Sequence, residues 1–231
     1  MKIYHGTNIE FGAIDLDLCP PDRDFGQGFY CTNIKKHAER RAEGKTYKEG
    51  GKITVLEYDF DLNEIKNLNP DLKIKYFEDV SAEWAQFVMY NRLRKENEPK
   101  HDYDIVEGPV ADDKMFRQFQ LFANNQIRLK EFVGSLKFPA EDTHQIVFCT
   151  EKAISALLDY NLPARYKIEK QISELSLALM QDLDISEIDA MRLVYSSKTF
   201  GKLADETTEF YKKSWQEIYD LLKQELSINS M

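Results

Sequence analysis

The strongest constraint on the fold is a change of periodicity at Asn161-Leu162-Pro163. Before it, short runs alternate apolar and polar residues. After it, apolar residues recur at helical spacing. Ile53–Phe60 (ITVLEYDF) and Leu72–Phe77 (LKIKYF) alternate as half-buried strands do. Lys2–His5, ended by Gly6, then Gly28–Thr32, Tyr103–Val106 and Gln145–Cys149 complete the expected strands. Between them the spacing predicts helices over Ile34–Glu43, Ser81–Lys95, Lys114–Phe122, Ile127–Leu136 and Glu151–Tyr160. In the Ser81–Lys95 helix, Ser81 can cap and Trp84, Phe87, Val88 and Leu93 make the inner stripe. The mixed order of elements points to an α+β domain and not to a regular strand–helix repeat.

The second part reads as an all-helical C-terminal module. Ile168, Ile172, Leu175, Leu179 and Leu183 form one stripe over Ala164–Leu183. Ser186 opens a second helix, with Asp189 three residues on, and Gly201 is expected to break it. A third helix is expected over Asp205–Leu226, with Phe210, Trp215, Ile218, Leu222 and Leu226 on one face. The expected division is therefore 1–161 and 162–231.

Composition narrows the function classes. The chain has 231 residues, 42% hydrophobic and 12% aromatic, which is enough apolar matter for a core. Its 31 basic and 40 acidic residues give a net charge of −9, which disfavours sequence-independent duplex binding. Cys19, Cys31 and Cys149 are far apart and odd in number, as reduced thiols are more often than a disulfide framework or a zinc site. The opening MKIYHGTNIE has no basic stretch followed by an apolar run, and no segment approaches ~18 consecutive apolar residues. The expectation is a cytoplasmic protein without a membrane partner.

Two glycine-flanked motifs hold the candidate chemistry. One is Tyr4-His5-Gly6-Thr7, a strand followed by a residue without a side chain. The other is Asp24-Phe25-Gly26-Gln27-Gly28-Phe29-Tyr30-Cys31-Thr32, a Gly-x-Gly turn feeding an aromatic strand. A Rossmann fingerprint needs a third glycine and a helix directly after it, so that reading fails.

Together the motifs resemble the ADP-ribosyltransferase superfamily, in the branch that includes diphtheria toxin and the poly(ADP-ribose) polymerases. That branch has His-Gly-Ser/Thr on its first strand and Gly-x-Gly-hydrophobic-Tyr on its second. Tyr4–Thr7 and Gly26–Thr32 match both in order. The stretches His101–Asp113 and His144–Leu158 look like an uncharacterised bacterial family assigned to this superfamily. The resemblance covers about residues 1–160. It implies a split mixed β-sheet with peripheral helices and NAD+ as substrate, with no metal. The implied activity is mono-ADP-ribosyl transfer to an acceptor that is a protein, a nucleic acid or a small molecule, in the setting of a bacterial toxin or conflict effector. The helical module resembles small proteins associated with neighbouring genes of that family, which implies a regulatory or partner-binding role.

The resemblance also implies roles. Tyr30 would stack on the nicotinamide ring, a cation–π contact worth ~1–2 kcal/mol when desolvated. Gly6 would pair its backbone with the carboxamide, His5 would bind the adjoining ribose hydroxyl, and Thr7 the other ribose. Gly28 and Phe29 complete the expected NAD+ wall. The bland readings are a core aromatic for Tyr30 and a satisfied strand-end histidine for His5. Where the superfamily usually has a glutamate before a hydrophobic strand, this chain has Gln145, preceded by His144. Period-two alternation lets only one of these face NAD+, and Gln145 is the residue expected to do so. Glutamine binds a hydroxyl but cannot serve as a general base, which leaves NAD+ hydrolysis or a binding-only module as the alternative.

Other features have plainer expectations. Asp112 or Asp113 would cap a following helix, and they do not form a metal pair. Asn91-Arg92 could reach a diphosphate but reads more simply as a solvated helix end. Arg40-Arg41 reads as the exposed face of its helix. A phosphotransferase of the RNA 2′-phosphate type would need a set of basic residues that the motifs do not display.

Overall fold

The computed structural model describes residues 1–93, 101–111, 117–118, 120–122, 124, 126–128, 131–132 and 144–227. The expected helices at 114–122 and 127–136, the end of the Ser81–Lys95 helix and the Asp112/Asp113 cap fall wholly or largely outside the described residues. The chain divides into two compact units. One is Met1–Ile65 with Asp71–Leu158, and the other is Lys66–Pro70 with Asp159–Met231.

The first unit is α+β. Its strands are β1 (Lys2–Thr7), β2 (Phe29–Thr32), β3 (Thr54–Asp59), β4 (Ile74–Tyr76), β5 (Ile105–Pro109) and β6 (His144–Phe148). They form one mixed six-stranded sheet in the order β3-β1-β2-β6-β5-β4, in which β4 and β5 run parallel and the other pairs antiparallel. β1 matches β3 over six residue pairs, from Lys2↔Asp59 to Thr7↔Thr54. Its ladder with β2 joins Tyr4 to Thr32. The sheet is therefore tightly zipped on one side of β1 and held at one point on the other.

The helices of this unit are α1 (Lys35–Glu49), α2 (Leu62–Leu68), α3 (Ala82–Leu93) and α4 (Glu151–Tyr160). Gly6 does not end β1. It pairs with Val55, and a Cβ there would lie 1.9 Å from the Ala38 carbonyl oxygen. Only glycine lets α1 lie this close to the strand. Helix α1 also outruns its expected end at Glu43, stopping at Gly50, whose φ of +77° suits glycine and whose N–H bonds to Thr46. On α3, Trp84 and Val88 are fully buried and Phe87 packs on the same cluster, but Leu93 is 48% exposed. That cluster joins them to Phe25, Phe77, Val106 and Val147, and the Trp84 indole N–H donates to the Pro109 carbonyl at 3.1 Å.

The second unit holds α5 (Ala164–Leu183), α6 (Glu187–Ser196), α7 (Lys198–Ala204) and α8 (Trp215–Glu225). Its core is Ile172, Leu175, Leu179, Ala190, Val194, Leu203, Ile218 and Leu222. Ser186 caps α6 through Asp189 N–H, as its spacing predicts. Two expectations are corrected. Gly201 does not break α6 but lies inside α7. The break is at Ser197, whose extended backbone ends α6 while its hydroxyl accepts from Phe200 N–H and starts α7. The stretch from Asp205 is not one helix. It makes two 3-10 turns, Glu206–Thr208 and Phe210–Lys212, before Ser214 and Glu217 form a reciprocal capping box that opens α8.

Candidate functional site

Directly opposed residues of neighbouring strands share a face, so Tyr4, Thr32, Tyr30 and Gln145 lie on one side of the sheet and His5 and Phe29 on the other. Beyond the Tyr4–Thr32 pair, a pocket of about 170 Å³ reaches residues of both faces. His5, Thr7, Gly28, Phe29 and Tyr30 line it together. The segment between β1 and β2 supplies the rest of the wall, including Phe11 and Leu18. Gly6 is not a lining residue and is turned to α1, and Gln145 is not one either.

His5 is held on three sides. Its ring stacks on Phe29, with centroids 4.2 Å apart and 23° between planes, and meets Phe11 edge-on. Its Nδ1 is 2.7 Å from the Tyr30 carbonyl oxygen. Burial lowers its pKa from 6.5 to about 4. The Tyr30 carbonyl opposes that shift, and the nearby Lys45 and Arg41 charges add to it. The imidazole is therefore neutral at pH 7. Because a carbonyl only accepts, the proton sits on Nδ1, and Nε2 is left as an acceptor.

Tyr30 is anchored by its hydroxyl, which donates to the Gly26 carbonyl at 2.8 Å and accepts from Phe25 N–H at 2.9 Å. Burial drives its pKa well above 10, so it stays protonated. Gly26 itself has φ of +77°, and a Cβ there would lie 3.0 Å from Asn91 Oδ1, so the turn requires glycine. Gly28 sits against β6, where a Cβ would be 2.6 Å from Val147.

Asp24 fixes this turn from below. It is buried at 5% exposure and accepts from Arg92 Nε at 2.5 Å, Ala111 N–H at 3.1 Å and Gln145 Nε2 at 2.8 Å. Gln145 Nε2 also donates to the Pro109 carbonyl at 3.3 Å. The Gln145 amide thus spends both protons inside the protein, tying β6 to the turn that precedes Tyr30. His144 lies on the opposite face, its Nδ1 3.8 Å from Glu107 Oε1. The solvated helix end expected at Asn91-Arg92 is instead internal, because Asn91 is buried and donates to the Phe87 carbonyl while Arg92 pairs with Asp24.

Residues 1–160 match the model of a family described as "Protein of unknown function (DUF3990)". The chain belongs to that family. No curated protein and no solved structure matches it. The DUF3990 region thus takes in all of β1–β6 and the whole pocket.

Among the lining residues of the DUF3990 pocket that the motifs do not include are three cations: Arg23, Arg41 and Lys45. Arg41 and Lys45 stand three and seven residues after Ala38, the α1 residue in contact with Gly6, so they follow that face of the helix to the pocket. Arg41 is exposed, as expected of its helix face, and it also borders this pocket. The sequence signal was the four-residue spacing of these two cations, visible only with knowledge of which α1 face docks.

The thiols are not poised as nucleophiles. Burial pushes Cys149 up to about 12 and Cys31 higher still, and Cys19, which lines the pocket, is raised for the same reason. Among the described residues no group of three or more His, Cys, Asp or Glu side chains is gathered as a metal site would need, and no helix is long and apolar enough to cross a membrane.

Proposed function

We propose that the pocket binds NAD+ and that the protein is a cytoplasmic mono-ADP-ribosyltransferase acting as a bacterial toxin or conflict effector. The observation that supports this best is the state of His5: neutral, stacked on Phe29, and presenting an Nε2 acceptor at a pocket also lined by Tyr30. A ribose hydroxyl is a donor of the kind Nε2 needs, and Tyr30 offers aromatic surface for a pyridinium ring. In the reaction the ribose C1′–nitrogen bond breaks, nicotinamide leaves with the electron pair, and an acceptor nucleophile bonds to C1′ and gives up its proton. His5 and Tyr30 bind and orient, and neither is required as a base.

A second reading is favoured by one observation. Gln145 stands where a catalytic glutamate is usual, and its amide is committed to Asp24 and Pro109. That favours slow NAD+ hydrolysis or a binding-only module. Incubation of the full chain and cell extract with NAD+ labelled in both nicotinamide and adenine separates these readings. Adenine label on an acceptor supports transfer, release of nicotinamide with free ADP-ribose supports hydrolysis, and saturable binding without release supports the module. No binding at all would remove every NAD+ reading.

The helical unit is proposed as a partner-binding or regulatory module. Leu177, 52% exposed on α5, is a suitable probe. Leu177→Asp should change turnover or toxicity with α-helical content retained, and unchanged values for both would remove this part of the proposal.

A further inference from the structure

The pocket wall gathers three cations. Arg23, Arg41 and Lys45 all line it, and among the described residues none of the three has an ion-pair or hydrogen-bonded acid partner. Elsewhere in the chain Lys2, Lys52, Lys73, Lys75 and Arg92 each meet a carboxylate. Asp15 is the carboxylate among the lining residues; its side chain accepts from Asp17 N–H and is in no ion pair with the three cations, so the lining still carries more positive than negative charge. The cations repel one another. Arg41 is lowered first by loss of water and then by Arg23, with Tyr30 and Asp24 opposing, and Lys45 first by loss of water and then by Arg41 and Arg23, with Glu49 and Cys19 opposing. Two of them are set in place by the tight packing of α1 on Gly6, and the third comes from the turn that Asp24 anchors. Such an arrangement is unfavourable in the free protein and becomes favourable when an anion enters.

We propose that Arg23, Arg41 and Lys45 form a binding site for an organic diphosphate. Two guanidinium groups offer forked donors that match phosphate oxygens, and the lysine adds a mobile point charge. Three cations exceed what a single carboxylate needs, and the apolar wall of Ile9, Phe11, Ile14 and Leu18 suits the non-phosphate part of a nucleotide more than a bare inorganic ion. The identity of that diphosphate as the bridge of NAD+ rests on the reading of the preceding subsection. The anion site itself stands on the three cations.

The test uses the full chain and two separate probes, ADP and nicotinamide, in equilibrium binding at low and moderate salt. ADP is expected to bind saturably. Arg41→Gln and Lys45→Gln should each weaken it at least tenfold and flatten its salt dependence, with nicotinamide binding unchanged. Lys36→Gln, on the same helix but outside the pocket, should change neither. Thermal melts confirm that the variants fold. The absence of ADP binding, ADP binding indifferent to Arg41→Gln and Lys45→Gln, or preference for a short RNA over ADP would each overturn the site. The two readings fail separately. ADP binding unaffected by the charge variants, in a protein that cleaves NAD+, sinks the diphosphate site alone, whereas ADP binding lost in those variants, in a protein that neither binds nicotinamide nor cleaves NAD+, sinks the NAD+ reading alone.

Discussion

The Nδ1 of His5 lies 2.7 Å from the carbonyl oxygen of Tyr30, bridging β1 and β2 just beyond the point where their ladder joins Tyr4 to Thr32. This contact fixes the imidazole tautomer and directs the one remaining ring acceptor, Nε2, away from the backbone. It links the two sequence motifs physically, since each supplies one partner.

The depressed pKa of His5 gives a pH dependence of known sign. A group whose folded pKa is about 4 and whose unfolded pKa is near 6.5 leaves the unfolded chain holding more protons between those values. Stability contributed by neutral His5 is present above pH 6.5 and is lost as pH falls toward 4. Discounting the full linkage for partial exposure leaves about 2 kcal/mol. His5→Asn keeps a donor for the Tyr30 carbonyl but does not titrate. Urea unfolding should show the stability advantage of wild type over His5→Asn shrinking by about 2 kcal/mol between pH 7.5 and pH 4.5. A difference that stays constant with pH would contradict the burial argument.

Gly6 and Gly44 make a matched pair. A Cβ at Gly6 would meet backbone 1.9 Å away, whereas at Gly44, inside α1, it meets nothing within 4 Å. Gly6→Ala should destabilise by about 2–3 kcal/mol through forced displacement of α1, and it should weaken ADP binding because Arg41 and Lys45 move with the helix. Gly44→Ala should stabilise by about 0.5–1 kcal/mol through helix propensity. Denaturant midpoints check both, and equal effects would be inconsistent with the α1–β1 packing.

Removing the Tyr30 hydroxyl leaves Phe25 N–H and the Gly26 carbonyl without their partner. Tyr30→Phe should cost about 2–3 kcal/mol and speed hydrogen exchange at the Phe25 amide, because buried polar groups lose their compensation. A loss under about 0.5 kcal/mol would mean that the turn is held by its other hydrogen bonds, among them those of Asp24, Gln27 and His101.

Gln145→Glu places a carboxylate against Asp24 in exchange for two donated hydrogen bonds. The new acid should have a raised folded pKa, so its stability contribution is retained at low pH and lost as pH rises. The variant should be about 2–4 kcal/mol less stable than wild type at pH 7.5 and recover part of that at pH 5. It should not accelerate nicotinamide release. Faster release with stability intact would show that position 145 can turn toward the pocket.

What was legible in the sequence was local. Alternation found β3 and β4 to within a few residues, the other expected strands also lie within a few residues of β1, β2, β5 and β6, and the two glycine motifs pointed to His5, Thr7, Gly28, Phe29 and Tyr30, which line one pocket. What was not legible depends on distant partners. Asp24 gathers Arg92, Ala111 and Gln145 from three separate elements, so neither the buried state of Arg92 nor the commitment of the Gln145 amide shows in any single window. That solvent-facing Arg41 borders the pocket was hidden because the docking face of α1 is set by Gly6, more than thirty residues earlier. Ser197 outranked Gly201 as a helix break because a hydroxyl that caps the next helix is a stronger signal than a glycine with free space around it.

The most direct measurement is the ¹⁵N resonance of the His5 imidazole, recorded on the full chain at pH 7 during addition of NAD+. The expected result is a neutral ring protonated on Nδ1, whose Nε2 signal moves saturably as NAD+ enters and stays fixed in a sample given nicotinamide-free buffer. A ring protonated on Nε2, or an Nε2 signal indifferent to NAD+, would contradict the proposal that this pocket is a site for NAD+.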